Sequence, residues 1–125
     1  MERADIIMAC ICDYAGQVRG KGFLYQDLEK RLRRGVGLAP TNLMITAFGA
    51  IVETPWAARG ELLVMPDAAT EVRIGLDGDR PDERFILGDL CELDGTSWEC
   101  CPRDWLRRAL AALKSEFGLR LNAAF

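Results

Sequence analysis

Histidine is absent from this 125-residue sequence, and no two cysteines stand in a C-x-x-C pair. A structural zinc site draws four ligands from Cys and His, usually at such spacings. Cys10, Cys12, Cys91, Cys100 and Cys101 do not supply that pattern. Five is also an odd count for disulfides, so free thiols, buried or half-buried, are expected. A thiol-based metal or redox protein using Cys10, Cys12, Cys100 and Cys101 is the weakest of three functional readings.

Long apolar runs are missing too. The stretch Ile6 to Cys12 is far too short to cross a bilayer. Its flank, Glu2-Arg3-Ala4-Asp5, is net acidic, which does not fit a secretion signal. The expected location is the cytoplasm, where thiols stay reduced. Nor is there an excess of positive charge. Sixteen basic residues face nineteen acidic ones, a net charge of −3, which gives no general attraction to nucleic acid or anionic membrane. The local clusters Arg31/Arg33/Arg34 and Arg107/Arg108 read as solvated helix faces.

What is present suits one domain with a real core, since half of the residues are apolar. Ala4 to Cys12 is rich in apolar and β-branched residues and reads as a strand, on which Cys10 and Cys12 share a face. Asp13-Tyr14-Ala15-Gly16 signals a turn, and Val18 to Phe23 returns as the second strand of a hairpin. Tyr25, Leu28 and Leu32 lie at helical spacing in a short helix closed by Gly35. Gly35 to Pro40 reads as a flexible link. It lacks the spacing of a phosphate-cradling loop. Thr41 to Ile51 is apolar without a decisive period. Strands are expected at Glu61–Met65, Thr70–Ile74 and Phe85–Leu93, and Asp94-Gly95 is a strong hairpin signal. The acidic stretch Leu76 to Glu83 lacks calcium-loop spacing and reads as a solvated turn. Arg103 to Phe117 is the best helix, with Trp105, Leu106, Ala109, Leu110, Leu113 and Phe117 on one stripe. It is expected to be a principal packing element, closed by Gly118. Leu119 to Phe125 has the look of a further element cut short.

The order of elements predicts an α+β, β-grasp-like domain: a small mixed sheet, a helix packed on one face and a second, C-terminal helix. The stretch Phe48 to Asp67 is the least explained part. It opens on Phe48-Gly49, passes through Glu53, Pro55, Trp56 and Arg59, and ends in Leu62-Leu63-Val64-Met65-Pro66-Asp67. Long loops in small domains are commonly lids or binding elements, and a tryptophan in one is an anchor.

Four segments together resemble the N-terminal β-grasp domain of glutamine synthetase and of related ligases joining glutamate to amines. They are Asp13-Tyr14-Ala15-Gly16-Gln17-Val18-Arg19-Gly20-Lys21, the apolar strand ending in Pro66-Asp67, Phe85 to Leu90 running into Asp94-Gly95-Thr96, and Cys101-Pro102-Arg103. The resemblance implies residues 1–118 as this domain and residues 119–125 as the truncated start of a catalytic domain. It implies an ATP-dependent ligase in a ring, in which this domain supplies ring contacts and a loop covering a neighbour's substrate. The loop candidates are Gly49, Glu53, Trp56 and Arg59. Asp13, Gly16, Arg19, Gly20 and Lys21 belong to the hairpin and are structural, with Arg19 and Lys21 expected in ion pairs with Asp13 or Asp89. No catalytic or metal-ligating residue is expected in these 125 residues. ATP and Mg or Mn would be bound by the catalytic domain, and the chain alone would be inactive.

One departure matters. The family's loop phenylalanine is followed by an aspartate that binds ammonium, whereas here Gly49 and Ala50 follow Phe48. Ammonia is therefore a doubtful substrate, and a larger amine or an inactive relative comes into view. The competing reading is a stand-alone β-grasp interaction module.

Overall fold

The computed structural model describes residues 5–56, 60–78 and 80–123. Six strands and two α-helices follow the order β1 (Ile6–Cys12), β2 (Val18–Leu24), α1 (Leu28–Arg34), β3 (Val36–Leu38), β4 (Leu62–Pro66), β5 (Val72–Ile74), β6 (Glu83–Cys91) and α2 (Pro102–Phe117). The sheet runs β2-β1-β6-β4-β3, with β5 also on β6. Strands β1 and β6 are parallel, with Cys10 opposite Leu87. The other pairings are antiparallel. This is the α+β, β-grasp-like arrangement expected from the element order.

Alternation along the strands gives the sheet two unlike faces. The inner face carries Ile7, Ala9 and Ile11 of β1, Val64 of β4, and Ile86 and Leu90 of β6, each at most 4% exposed. Tyr25, Leu28 and Leu32 pack on this core, as do Met44, Trp56 and Cys100. Helix α1 thus covers the inner face by the stripe read from its sequence. The outer face carries Ile6, Met8 and Leu87, all exposed.

Three expectations need correction. Gly35–Pro40 is not a flexible link: Val36 and Leu38 are buried in β3 and pair with β4. Gly35 does end α1, at φ +69°, but two alternating apolar residues suffice for a strand where a neighbour already offers its edge. Thr41–Ile51 is neither a helix nor a strand throughout. It holds a one-turn 3-10 helix, Pro40–Leu43, then a tight turn closed by an Ile45–Ile51 bridge. Helix α2 begins at Pro102 and is capped by Gly118 in the left-handed conformation, as its sequence signals. Yet none of its residues is buried, and Trp105, Leu106, Leu110 and Phe117 are exposed. The apolar stripe is real, but these residues leave it without a partner, so the helix contributes little to the domain's own core.

Candidate functional site

The hairpin turn after β1 is built around one carboxylate. Asp13 is 4% exposed. Its Oδ1 accepts from the Ala15 and Gln17 backbone N–H groups at 2.9 and 2.8 Å. Its Oδ2 accepts from Arg19 Nε at 2.8 Å. Burial alone would raise this carboxyl, but the Gln17 and Ala15 amides and the Arg19 guanidinium outweigh it and hold it below the usual carboxylate range. Gly16 takes a φ of +76° to close the turn. Gly20 lies opposite Cys10, where a Cβ would collide with the Ala9 carbonyl. Lys21 is exposed and makes no ion pair among the described residues. Of the two cations read from the sequence, only Arg19 meets Asp13, and neither meets Asp89.

Asp89 has other partners. Its carboxylate receives Arg103 at 3.0 Å and Arg107 at 2.6 Å, and Arg103 also reaches Asp67 at 2.7 Å. Arg103 therefore clamps the end of β4 and the outer face of β6 to the first turn of α2. The bond from Arg103 is the main cause that lowers Asp67 below its ordinary value, and Asp67 in turn raises Arg103. Three of the sequence segments quoted for the resemblance close on this one cluster. Nothing local in the sequence paired them, because Asp67 and Arg103 are separated by 36 residues.

The loop opens differently. After Ile45, the Thr46 N–H donates to the Ala50 carbonyl at 2.8 Å and the Gly49 N–H to the Thr46 carbonyl at 3.0 Å. The Ala50 N–H also donates to the Thr46 hydroxyl at 3.1 Å. Gly49 sits at φ +84° with open space around it. This firmly bonded turn lifts Phe48 to 99% exposure, with Ile51 and Val52 also exposed beside it. Glu53 is exposed and stands four residues beyond Gly49. Trp56 turns inward: its ring meets Trp98 edge-on, with centroids 5.2 Å apart and planes at 62°. Trp98 is 3% exposed, so Trp56 pins the loop to the domain's own core. Arg59 lies outside the described residues. Gly49 thus shares the exposed turn with Phe48, Glu53 follows the Met44–Val52 rung at the base of that hairpin, and Trp56 anchors the loop. Sequence reasoning weighted Trp56 and missed Phe48 as a contact residue.

Cys10, Cys12 and Cys101 line one cleft. Cys10, Cys91 and Cys101 are buried, Cys100 is half-buried and Cys12 is exposed. Burial raises Cys10, Cys91 and Cys100 above the ordinary thiol value, which opposes thiolate chemistry. Among the described residues, no three His, Cys, Asp or Glu side chains come together to hold a metal ion. No helix there is long and apolar enough to cross a membrane.

Among curated protein sequences, none matches the chain. A crystal structure titled as a novel glutamine synthase homolog superposes with a TM-score of 0.86 at 32% identity, covering 93% of this chain and 28% of that one. The glutamine synthetase of Plasmodium falciparum superposes at 0.67 and 17% identity, over 90% of this chain and 20% of its own. An ADP complex of GmaS does so at 0.67 and 18%, over 90% of this chain and 24% of its own. These last two share the fold, and the chain spans under a third of the length of each of the three. The family model of the glutamine synthetase N-terminal domain matches residues 1–98, a span that contains the Asp13 turn, the Phe48 hairpin and the β4–β6 pairing; the chain belongs to the glutamine synthetase N-terminal domain family.

Proposed function

We propose that this chain is the inter-subunit domain of an ATP-dependent, glutamine synthetase-like ligase that joins glutamate to ammonia or an amine in the cytoplasm. It would contribute ring contacts and present the Phe48–Gly60 loop over a neighbouring subunit's substrate. The observation that carries the reading is the Phe48 hairpin. A turn held by three hydrogen bonds spends its order on lifting an aromatic wholly into solvent. That arrangement makes sense when the ring is received by another surface. The lengths of the three solved relatives fit a domain followed by a larger catalytic part.

The chemistry implied by the family is phosphorylation of the glutamate γ-carboxylate by ATP, with Mg or Mn, followed by amine attack. The residues described here do not fit the nucleotide or its metal. They offer no cluster of metal-binding side chains, and the glycine-rich segment after α1 is consumed as β3. No step of the reaction is therefore placed on this chain, and residues 119–125 would lead into the catalytic domain. The Phe48-Gly49-Ala50 tip offers no carboxylate to an ammonium ion, which favours an amine that carries carbon.

The coding sequence beyond Phe125 gives the first test. An open frame running on through an E-x-E strand supports the ligase, and a stop codon there overturns it in favour of a stand-alone module. In the longer enzyme, Phe48→Ser is expected to lower kcat/KM for the amine without shifting Tm. The 125-residue chain alone is expected to release no phosphate from ATP in the presence of glutamate and amine.

A further inference from the structure

The bonds that shape the Phe48 hairpin all lie within Met44–Val52, the Val52 N–H closing its base on the Met44 carbonyl at 3.0 Å. A turn bonded only to itself moves as one body, so its direction is set by its footings. One leg is rooted in the core by Leu43, which is 1% exposed. The other leg leaves through Trp56, whose ring rests on Trp98. Trp98 sits in a tightly bonded segment. Its N–H donates to the Leu90 carbonyl at 2.9 Å, and its carbonyl accepts from the Cys101 N–H at 2.9 Å.

Tyr14 is bonded to one footing and borders the other. Its hydroxyl donates to the Cys100 carbonyl, across 86 residues of sequence, which ties the Asp13 turn to the segment carrying Trp98. With Ala15 it also lines a cleft of about 310 Å³ that Met44, Thr46 and Val52 of the hairpin line as well. The Asp13 carboxylate holds the Ala15 and Gln17 amides, which fixes the backbone from which Tyr14 projects. Burial pushes the Tyr14 hydroxyl up to about 12, so near neutral pH it stays a protonated donor. Its part is to hold a bond. The turn that carries the structural carboxylate thus carries, one residue on, a tether to the loop's support.

We infer that Tyr14 is a positioning residue for the Phe48 loop: through Cys100 and Trp98 it sets where the Trp56 footing stands, and so the direction in which Phe48 is presented. Side chains that present a site depend on supports of this kind. What Phe48 is presented to rests on the ligase reading. The tether itself does not, since every partner in it belongs to this chain.

Tyr14→Phe tests it, because it deletes the hydroxyl and keeps the ring. Tyr14 is half exposed, and the far-UV circular dichroism of the variant is expected to match the parent. The measurement is the near-UV circular dichroism of the folded 125-residue chain, read in the tryptophan band where tyrosine does not absorb. Trp56→Phe marks the part of that band owed to the Trp56–Trp98 pair, and Tyr14→Phe is expected to lose a share of the same part. A residue that only added stability would shift the urea midpoint and leave the folded spectrum alone. An unchanged tryptophan band therefore overturns the inference, whatever the midpoint does. In the longer enzyme, Tyr14→Phe is expected to raise KM for the amine by roughly 2–10-fold, the worth of one hydrogen bond, with KM for ATP unchanged. A changed band with unchanged amine kinetics would uphold the tether and count against the ligase reading of the loop.

Discussion

Two tight turns of this domain make opposite use of similar local structure. The turn at Asp13–Gly16 and the turn at Thr46–Gly49 each end on a glycine with positive φ, and each is closed by backbone bonds. The first points a charged residue inward and satisfies its carboxylate with three donors. The second points an aromatic residue outward and gives it nothing to touch. A buried ion held by three donors is a feature of the fold, because removing its charged partner leaves an uncompensated charge. An apolar ring at 99% exposure contributes nothing to the fold it stands on. Position in a family motif therefore does not separate structural from functional residues here, but the direction of the side chain does.

The comparison breaks first at Asp13. Asp13→Ala is expected to cost about 3 kcal/mol, since it strands Arg19 and two backbone amides. A fall in the urea midpoint at unchanged slope would show it. The pH dependence carries the same signature. The folded-state values of Asp13 and Asp67 are lowered, so the stability they add is full above the ordinary carboxylate value near 3.8. It is lost as pH falls below that value through the lowered ones. Urea midpoints measured downward from pH 5 are expected to drop, and Asp13→Asn is expected to flatten the drop. An unchanged slope in that variant would remove Asp13 from the account.

Next in size is Trp56, which stands between the two cases. It belongs to the exposed loop yet packs on Trp98. Truncating a fully buried tryptophan costs about 3–5 kcal/mol, and Trp56 is half-buried, so Trp56→Ala is expected to cost about 2 kcal/mol. A loss near zero would mean that the loop is held by something other than this ring pair. Arg103→Ala follows at about 1–2 kcal/mol, because its charge-assisted bonds to Asp67 and Asp89 are partly exposed. A double-mutant cycle with Asp67→Ala would isolate that bond.

These residues also mark how far the sequence could be read. The Asp13 turn was legible because all its partners lie within six residues, and turn chemistry is local. The ends of α2 were legible for the same reason, from Pro102 and Gly118. Asp89 was given the wrong partner because Arg103 reaches it from 14 residues away, and charge alone does not choose among arginines. Strand β3 was missed because its three residues include a glycine and depend on the edge of β4 for pairing. The stripe of α2 predicted burial correctly as chemistry and wrongly as packing, since periodicity names an apolar face but not what meets it. For the candidate site, Gly49 falls in the exposed turn beside Phe48 and Glu53 just beyond it. The exposure of Phe48 was invisible, because nothing in Phe-Gly says which way a ring will point.

The smallest expected effect is the most discriminating. Phe48→Ser removes the largest side chain from the second turn, and a buried phenylalanine truncated this way would cost about 3–5 kcal/mol. Here the ring has no neighbours to lose, and the turn's bonds run through Thr46, Gly49 and Ala50. The expected change in stability is within about 0.5 kcal/mol, as for other surface positions without special contacts. Urea unfolding of Phe48→Ser beside Asp13→Ala puts the two turns on one scale. A loss above 1 kcal/mol in Phe48→Ser would mean that the ring folds back onto Tyr14 or Val52 in solution, close to the small pocket they line. The second turn would then be an inward-facing element like the first, and the loop would lose its reason to be read as a contact surface.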